Sequence, residues 1–333
     1  MKLVTYKTDN RESLGIIIAN QLYDLHTCDP KLPGNMNAFL KGGKNLMKKA
    51  KAVEQQLQSK QLTQQPEQGY ELLAPVPHPA SCRDGYAFRQ HVAAARRNRG
   101  LAMIPEFDQY PIFYFTNHQA IYGPGDIKCM PDHFNKLDFE LEAAIVIGKP
   151  GRNIKAAEAD EYIAGYMIMN DLSARTLQME EMLLNLGPAK GKDFATVIGP
   201  WLVTPDELEK YKTSPKPGHT GSAYQLEMTC RVNGTKVSKG NMADMDWTFA
   251  EIIERASYGC ELYPGDIIGS GTVGTGCFLE LNGTGLLNDP HYQAQWLQAG
   301  DAVEMEITDL GILKNTIIAE PTDWSILKLK KNG

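Results

Sequence analysis

The sequence lacks any apolar run that approaches the roughly 20 residues a membrane-spanning helix needs. Its first residues, MKLVTYKTDNRESLGIII, alternate as a strand does and have neither the apolar core nor the small-residue cleavage site of an export signal. We therefore expect a cytoplasmic protein with no membrane role.

A basic excess is also missing. The 34 basic and 40 acidic residues give a net charge of −6, so charge offers no reason to expect a nucleic-acid partner. The one basic cluster, Arg96, Arg97 and Arg99, predicts a solvated helix end, with a nearby anionic substrate as the alternative. The six cysteines are dispersed without a CxxC pair or zinc spacing, which predicts free buried thiols.

The 333 residues are enough for one large domain with a smaller companion. Strand-like segments fill residues 2 to 26, a helix-forming stretch runs from Met36 to about Gln58, and the polar QLTQQPEQG follows as a linker. These features predict a small N-terminal domain over residues 1–70 and a catalytic domain over 71–333. Strand-like segments dominate the second domain, with helices near Asp84, near Asp171 and from Trp247 to Ser257, so we predict an α+β fold that is mostly β.

Two glycine-rich segments look like nucleotide-binding motifs but have the wrong context. GSGTVG matches the dinucleotide fingerprint, yet the TGCFLELNG after it reads as a strand, whereas that motif opens a helix. GPAKGKDF has three residues between its glycines where a phosphate loop has four, and Asp where Ser or Thr holds magnesium. We predict no nucleotide site.

The stretch KLDFELEAAIVIG, Lys136 to Gly148, reads as a strand that enters a buried core. Alternation places Asp138, Glu140 and Glu142 on one face. Like charges this close to a core repel and lose hydration unless they are protonated or paired with a cation. The stretch therefore raises the question of what neutralises Glu140 and Glu142.

Two other segments offer functional partners for these glutamates. Asp84 and His91 are seven residues apart in RDGYAFRQH, either two turns apart on one helix or on a loop and a helix start. Asp171 ends the apolar strand YIAGYMIMN, and Arg175 and Gln178 follow it at helical spacings. Strand ends of this kind often carry functional groups.

Three further polar residues come later in the chain. Lys192 and Thr196 are one turn apart if that segment is helical, and Glu280 lies in CFLEL, which reads as an apolar strand. Taken singly, an Asp before a helix is more often a cap, and a Glu such as Glu280 more often a paired structural carboxylate. Jointly, the acids predict an oxygen-ligand cage for a hard cation, formed by Asp84, Glu140, Glu142 and Asp171.

Several motifs in order resemble one family. RDGYAFRQH, LDFELEAAIVIG, GYMIMNDLSAR, LGPAKGKDFATVIGPWLVT and PGDIIGSGT are similar to motifs of the fumarylacetoacetate hydrolase family, and the likeness covers nearly the whole chain. The resemblance implies a mixed β-roll catalytic domain of the fumarylacetoacetase type behind a small N-terminal domain. It also implies a bound Mg²⁺ or Ca²⁺, with Mn²⁺ as a further option, and a homodimer.

The resemblance also implies a role for each matching residue. The metal carboxylates fall on Asp84, Glu140, Glu142 and Asp171, and the positions beside the metal fall on Lys192 and Thr196. His91 matches the catalytic base and Glu280 the carboxylate that orients it. The substrate contacts fall on Tyr86, Arg175, Gln178 and Thr272, and the donors to the reacting oxygen fall on Arg175, Gln178 and Lys192.

The implied activity is metal-dependent hydrolysis of the carbon–carbon bond of a 1,3-diketo acid. The expected substrate is fumarylacetoacetate, cleaved to fumarate and acetoacetate in tyrosine and phenylalanine catabolism. Met182 stands where the family has a substrate-binding tyrosine, which bears on the acyl group. The alternatives are a decarboxylase or hydratase of the oxaloacetate or acylpyruvate type, and a catalytically idle metal-binding scaffold.

Overall fold

The computed structural model describes residues 1–9 and 11–331. Within this part of the chain no helix has the length and apolar character of a membrane span. The strands are β1 Lys2–Thr8, β2 Arg11–Ile18, β3 Gln21–Asp24, β4 Glu71–Leu72, β5 Cys82–Gly85, β6 Phe113–Thr116, β7 Ile121–Tyr122, β8 Gly125–Cys129, β9 Leu137–Asp138, β10 Leu141–Ile147, β11 Gly151–Arg152, β12 Ile163–Asp171, β13 Ser173–Ala174, β14 Thr196–Val203, β15 Lys212–Thr213, β16 Ala223–Tyr224, β17 Glu227–Val232, β18 Thr235–Asn241, β19 Glu261–Leu262, β20 Ile267–Gly269, β21 Ala302–Ile307 and β22 Gly311–Ala319.

Helices lie between these strands. The α-helices are α1 Leu25–Cys28, α2 Met36–Lys41, α3 Gly43–Gln58, α4 Arg89–Arg97, α5 Ala156–Ala159, α6 Arg175–Met182, α7 Pro205–Leu208, α8 Phe249–Ser257 and α9 Phe278–Asn288. Short 3₁₀ turns cover Pro105–Asp108, Pro131–Asn135, Asp160–Tyr162, Glu209–Tyr211, Met242–Asp244 and Leu327–Leu329.

Two mixed sheets dominate the molecule. The larger has the order β3-β2-β1-β14-β12-β10-β20-β5-β6, with β4 added on β1 and β7 on β14. The smaller has the order β18-β17-β21-β22-β8. Most neighbours are antiparallel, but β20–β5, β14–β7 and β22–β8 are parallel. The predicted α+β fold, rich in strands, is confirmed.

The central strand β10 is buried on both faces. Ile145 belongs to a core that includes apolar residues of both sheets, such as Met305 and Leu313. Val146, on the opposite face, packs in a second core with Phe39 of the amino-terminal helices. A strand covered on both sides reads as a continuous apolar run, which is why AAIVI follows the two glutamates.

We expect Ile145→Ala to lower the free energy of unfolding by about 2–5 kcal/mol, because the Ile145 side chain is fully buried and its loss leaves a cavity. Urea denaturation followed by circular dichroism measures this change. The matched control is Ile312→Ala, since Ile312 is 47% exposed and should change stability by less than about 0.5 kcal/mol. Equal losses in the two variants would contradict the assignment of β10 to the core.

The first strands of the chain extend the large sheet. Leu3 on β1 pairs with Leu202 on β14, so residues from both predicted domains share one hydrogen-bonded ladder. The domain boundary at residue 70 stays a prediction. The long helix predicted from Met36 to about Gln58 is interrupted, because Gly42 lies between α2 and α3 and Gly43, the first residue of α3, has φ +55°.

Two local predictions near the acids are wrong, namely the single strand from Lys136 and the strand at Glu280. The stretch from Lys136 is not one strand: the Glu140 amide donates to the Asn170 side chain at 3.0 Å instead of a neighbouring strand, which separates β9 from β10. Of the two arrangements left open for Asp84 and His91, the structure has His91 at the start of a helix, α4, with Asp84 on the strand β5 in place of a loop. Glu280 lies on the helix α9, not on a strand. Lys192 lies in a turn, and Thr196 begins β14.

The cysteines are free, as predicted, but they are not all buried. Cys82, Cys129, Cys230 and Cys277 are buried, Cys28 is partly buried and Cys260 is exposed.

Candidate active site

Four acidic side chains from three separate segments meet at the edge of the large sheet. In the order β12-β10-β20-β5, Asp171 ends β12, Glu142 lies on β10, Glu140 just precedes it and Asp84 lies on β5. All four are buried, and one oxygen of each lies within 4.8 Å of the others. The predicted carboxylate cage is therefore assembled in the structure.

The sheet register explains how Asp84 reaches the cluster. Gly269 on β20 lies opposite Asp84 on one side and Ala144 of β10 on the other. A Cβ at residue 269 would collide with the Asp84 carboxylate. GSGTVG thus starts with a glycine, Gly269, whose missing side chain leaves room for the candidate metal ligand Asp84.

Two buried cations partner Glu140. Lys192 Nζ lies 2.5 Å from Glu140 Oε2, and Arg175 Nη2 lies 2.8 Å from Glu140 Oε1. Burial opposes ionisation of Glu140, but the charges of Lys192 and Arg175 outweigh it and lower the pKa of Glu140 to about 2. Lys192 also donates to Asp171 Oδ2 at 2.8 Å. These contacts answer the question for Glu140.

Glu142 and Asp84 lack such a partner. Burial and the nearby Asp171 raise the pKa of Asp84 to about 7, and burial with Asp84 beside it raises the pKa of Glu142 well above its usual range. Among the described residues, Glu142 Oε2 and Asp171 Oδ1 are buried without a hydrogen-bond partner. Buried carboxylate oxygens of this kind fit a hard divalent cation that takes oxygen ligands.

Lys192 and Thr196, predicted beside the metal, lie at the cluster in different ways. The Lys192 ammonium has donors and no lone pair, so it neutralises carboxylates and is not itself a ligand. The Thr196 hydroxyl is buried and lies 3.4 Å from that of Thr116, on the strand next to β5. The metal roles of these residues stay predictions.

The predicted base and its partner are in contact. His91 Nδ1 lies 2.7 Å from Glu280 Oε2, and both side chains are buried. The other Glu280 oxygen accepts the Thr275 amide at 2.9 Å, and Asn98 Nδ2 donates to the Glu280 carbonyl at 3.0 Å. A carboxylate at Nδ1 fixes the ring so that Nε2 is the atom left to accept a proton.

One cavity of about 780 Å³ joins these groups. Asp84, Glu140 and His91 line it, so the carboxylate cluster and the imidazole open into the same space. The residues predicted to bind substrate also line it, namely Tyr86, Arg175, Gln178 and Thr272, as does Lys192, which was predicted to donate to the reacting oxygen. Arg175 donates to Gln178 Oε1 at 3.0 Å, which turns the Gln178 amide nitrogen away from Arg175.

The outer part of the cavity combines apolar and basic side chains. Met182 lines it, together with apolar residues such as Ile112 and Trp296. Arg96 and Arg99 also line it, which favours the alternative that this basic cluster lies near an anionic substrate. Arg97 points elsewhere and donates to Thr284 at 3.0 Å.

Two residues at the site had no assigned role in the sequence interpretation. Tyr114 donates its hydroxyl to Asp171 Oδ2 at 2.5 Å and lines the cavity. Tyr114 lies on β6 and pairs with Asp84 on β5, and this long-range pairing brings it to the site. Asp138 stood in the predicted acidic face, yet it bonds to α9 and to Arg175 and does not join the cage.

The helix α9 changes the reason for rejecting a dinucleotide site at GSGTVG. A helix does follow this segment, four residues later than the fingerprint requires. Its first amides are already used, since those of Phe278 and Leu279 donate to Asp138 at 2.7 and 2.9 Å. A pyrophosphate would have to displace that carboxylate.

Comparison with known proteins places these features in context. Residues 81–318 match the family model described as fumarylacetoacetate (FAA) hydrolase C-terminal. The mitochondrial oxaloacetate tautomerase of Rattus norvegicus is 31% identical over 329 residues, which cover 96% of this chain and 92% of the relative.

Two further proteins show the range of this similarity. A 2,4-didehydro-3-deoxy-L-rhamnonate hydrolase of a Sphingomonas strain is 32% identical over 207 residues, 62% of this chain and 65% of that protein. The solved structure of the fumarylacetoacetate hydrolase from Exiguobacterium antarcticum matches with a TM-score of 0.66 at 24% identity. The match covers 96% of this chain and 100% of that structure.

Proposed function

The chain belongs to the fumarylacetoacetate hydrolase family, and from this we propose that it is a metal-dependent hydrolase that cleaves the carbon–carbon bond of a 1,3-diketo acid. The leading substrate is fumarylacetoacetate. One observation carries the proposal: the His91–Glu280 pair and the carboxylate cluster open into one cavity. Hydrolysis requires both a base for water and a means of polarising a carbonyl.

The cluster supports binding of Mg²⁺ or Ca²⁺, with Mn²⁺ as the further option. Asp84, Glu140, Glu142 and Asp171 would hold the ion, and it would supply Lewis-acid polarisation of a substrate carbonyl. Lys192 and Arg175 neutralise only part of the buried negative charge, since Arg175 is shared with Asp138.

His91 and Glu280 supply the proton transfer. Nε2 of His91 removes a proton from water as the water oxygen attacks the acyl carbonyl carbon. The carbon–carbon bond then breaks, and the carbon that leaves as an enolate takes the proton back from the imidazolium. Glu280 stabilises the imidazolium through Nδ1 and keeps the ring in place.

Lys192 and Gln178 are the best placed donors to the reacting oxygen. The Lys192 ammonium has three N–H groups, and its contacts with Glu140 and Asp171 use two of them. The Gln178 oxygen accepts from Arg175, so the amide nitrogen is the donor that this cavity-lining side chain can offer to substrate. Losing one such donor typically raises the barrier by about 3 kcal/mol.

A second candidate is keto–enol interconversion of oxaloacetate. The rat relative, 31% identical over 96% of this chain, is named for that activity, and His91 could move a proton between carbon and oxygen without activating water. Decarboxylation or hydration of oxaloacetate or an acylpyruvate remains a further alternative from the sequence. Arg96 and Arg99 suit the acidic substrates of all these reactions.

The test compares substrates on Mg²⁺-loaded protein. Fumarylacetoacetate and acylpyruvates are followed by loss of diketone absorbance, and oxaloacetate by its enol absorbance and by pyruvate release. We expect consumption of the diketo acid with equal amounts of fumarate and acetoacetate. Turnover of oxaloacetate alone would contradict the hydrolase proposal, and enol loss without pyruvate would identify the second candidate.

We also propose a homodimer, as the family resemblance implies. The cytoplasmic location stays a prediction, and it differs from the rat relative, which is named as mitochondrial. Fractionation of the native source and light scattering of the purified protein test these two points.

A further inference from the structure

Asp138 is a fully buried carboxylate that does not line the cavity. Its oxygens accept four hydrogen bonds or ion-pair contacts from two different elements. The amides of Phe278 and Leu279 donate to it at 2.7 and 2.9 Å. Arg175 contacts its Oδ2 through Nε at 2.9 Å and Nη2 at 2.8 Å.

The first two contacts fix the start of α9. Phe278 and Leu279 are its first residues, and the next residue, Glu280, carries the carboxylate that holds His91. The Glu280 amide donates to Cys277 Sγ at 3.4 Å. Because Asp138 binds the first amides of α9, it fixes the position of this helix and therefore the position of Glu280, the partner of the base.

The Arg175 contacts fix the other half of the site. The same guanidinium donates to Glu140 Oε1 at 2.8 Å and to Gln178 at 3.0 Å. Asp138 thus sets the position of Arg175, and Arg175 contacts both a cage carboxylate and a substrate-facing amide. Only Phe139 separates Asp138 from Glu140 in the chain, so the backbone adds a third connection.

We propose that Asp138 is a positioning residue that sets the distance between the His91 imidazole and the carboxylate cluster. Both halves of the site are attached to this one carboxylate, and it is not among the residues that line the cavity. A residue that only capped α9 would need no contact with Arg175. This inference rests on the proposed use of His91 as a base, but its test does not require turnover.

The test uses Asp138→Asn with Asp24→Asn as the matched control. Asp24 is also buried and also accepts a helix amide, from Thr27 at 2.6 Å, but it lies at α1, outside the site. The first measurement is the NMR signal of the Nδ1 proton that His91 shares with Glu280. We expect Asp138→Asn to shift or broaden this signal and Asp24→Asn to leave it unchanged.

Kinetics give the second measurement. Because a displacement of about 1 Å can cost 10²-fold, Asp138→Asn should lower kcat by about 10²-fold, change KM much less and move the acid limb of the pH profile. In a His91→Ala background, where the base is already missing, the same substitution should cost far less. A full additional loss in that background would show a general structural role.

A second variant decides the question if Asp138→Asn fails to fold. Asp138→Glu keeps a carboxylate that can accept from the same donors, but it adds one methylene between the backbone and that carboxylate. The Nδ1 proton signal of His91 should therefore shift, while Mn²⁺ binding persists. An unchanged Nδ1 signal in the folded variants would overturn the proposal. If the wild-type protein turns over no diketo acid, the hydrolase proposal fails, and the NMR comparison still decides the role of Asp138.

Discussion

Replacing His91 with alanine is expected to lower kcat by about 10²–10⁴-fold, the usual contribution of a positioned general base. The imidazole is buried on α4, held by Glu280 at 2.7 Å and open to the cavity, and the substitution removes all of its proton-transfer capacity. Metal binding should persist, because the four carboxylates come from other elements. Steady-state kinetics and Mn²⁺ binding measured by electron paramagnetic resonance test the two statements separately.

The control for this variant is another histidine paired with a glutamate. His219 Nδ1 lies 3.0 Å from Glu251 Oε2, but this pair does not line the cavity, so His219→Ala should keep kcat within about twofold, as expected for substitutions away from functional features. Unlike His91→Ala, which should keep metal binding, Glu140→Ala should lose both metal binding and turnover. Equal loss of metal in the His91 and Glu140 variants would mean that the base is wrongly assigned.

The sequence predicted the acids better than it predicted their geometry. Glu140, Glu142 and Asp171 could be named because each lies beside or inside a recognisable apolar segment, whereas Asp84 was named from its spacing to His91 and from the family resemblance. Their meeting depends on the order β12-β10-β20-β5, which is a set of long-range pairings that local alternation does not contain.

Glu280 shows where local pattern fails. CFLEL is a short apolar run that reads as a strand, yet it forms the start of α9. Asp138, 140 residues before Phe278, accepts the amides of Phe278 and Leu279 there. Short apolar runs do not separate strand from helix, and the deciding contact is tertiary. The same carboxylate was expected on the acidic face with Glu140, and its hydrogen bonds turn it toward α9 instead.

Without metal, the protein should lose stability as the pH rises from about 4 to about 7, on the order of 4 kcal/mol if Asp84 titrates alone. Burial raises the pKa of Asp84 to about 7, against a usual value of 3.8. Between these values the folded state keeps the proton and the unfolded state releases it, so higher pH favours unfolding. Glu142, with a pKa also raised by burial, extends the effect to higher pH.

A bound divalent cation should oppose this loss of stability. It replaces the protons on the carboxylates, so its affinity rises with pH, and Mg²⁺ at about 100 times its Kd adds about 2.7 kcal/mol to the free energy of unfolding. Urea denaturation from pH 4 to 8, with Mg²⁺ and with EDTA, measures both curves. His133, whose burial lowers its pKa to about 4, acts in the opposite direction but equally in both series, so the difference between the curves reports the cluster.

In this experiment the variant Asp84→Asn distinguishes the contribution of the carboxylate cluster to the pH dependence from that of the other titratable groups. An amide at residue 84 carries no proton that competes with metal and no charge to hold it, so the metal-free curve should flatten and the gain from Mg²⁺ should shrink. Coincident wild-type curves with and without Mg²⁺ would show that no cation binds among these carboxylates. That result would also remove the proposed Lewis-acid polarisation of the carbonyl, and with it the metal-dependent reaction.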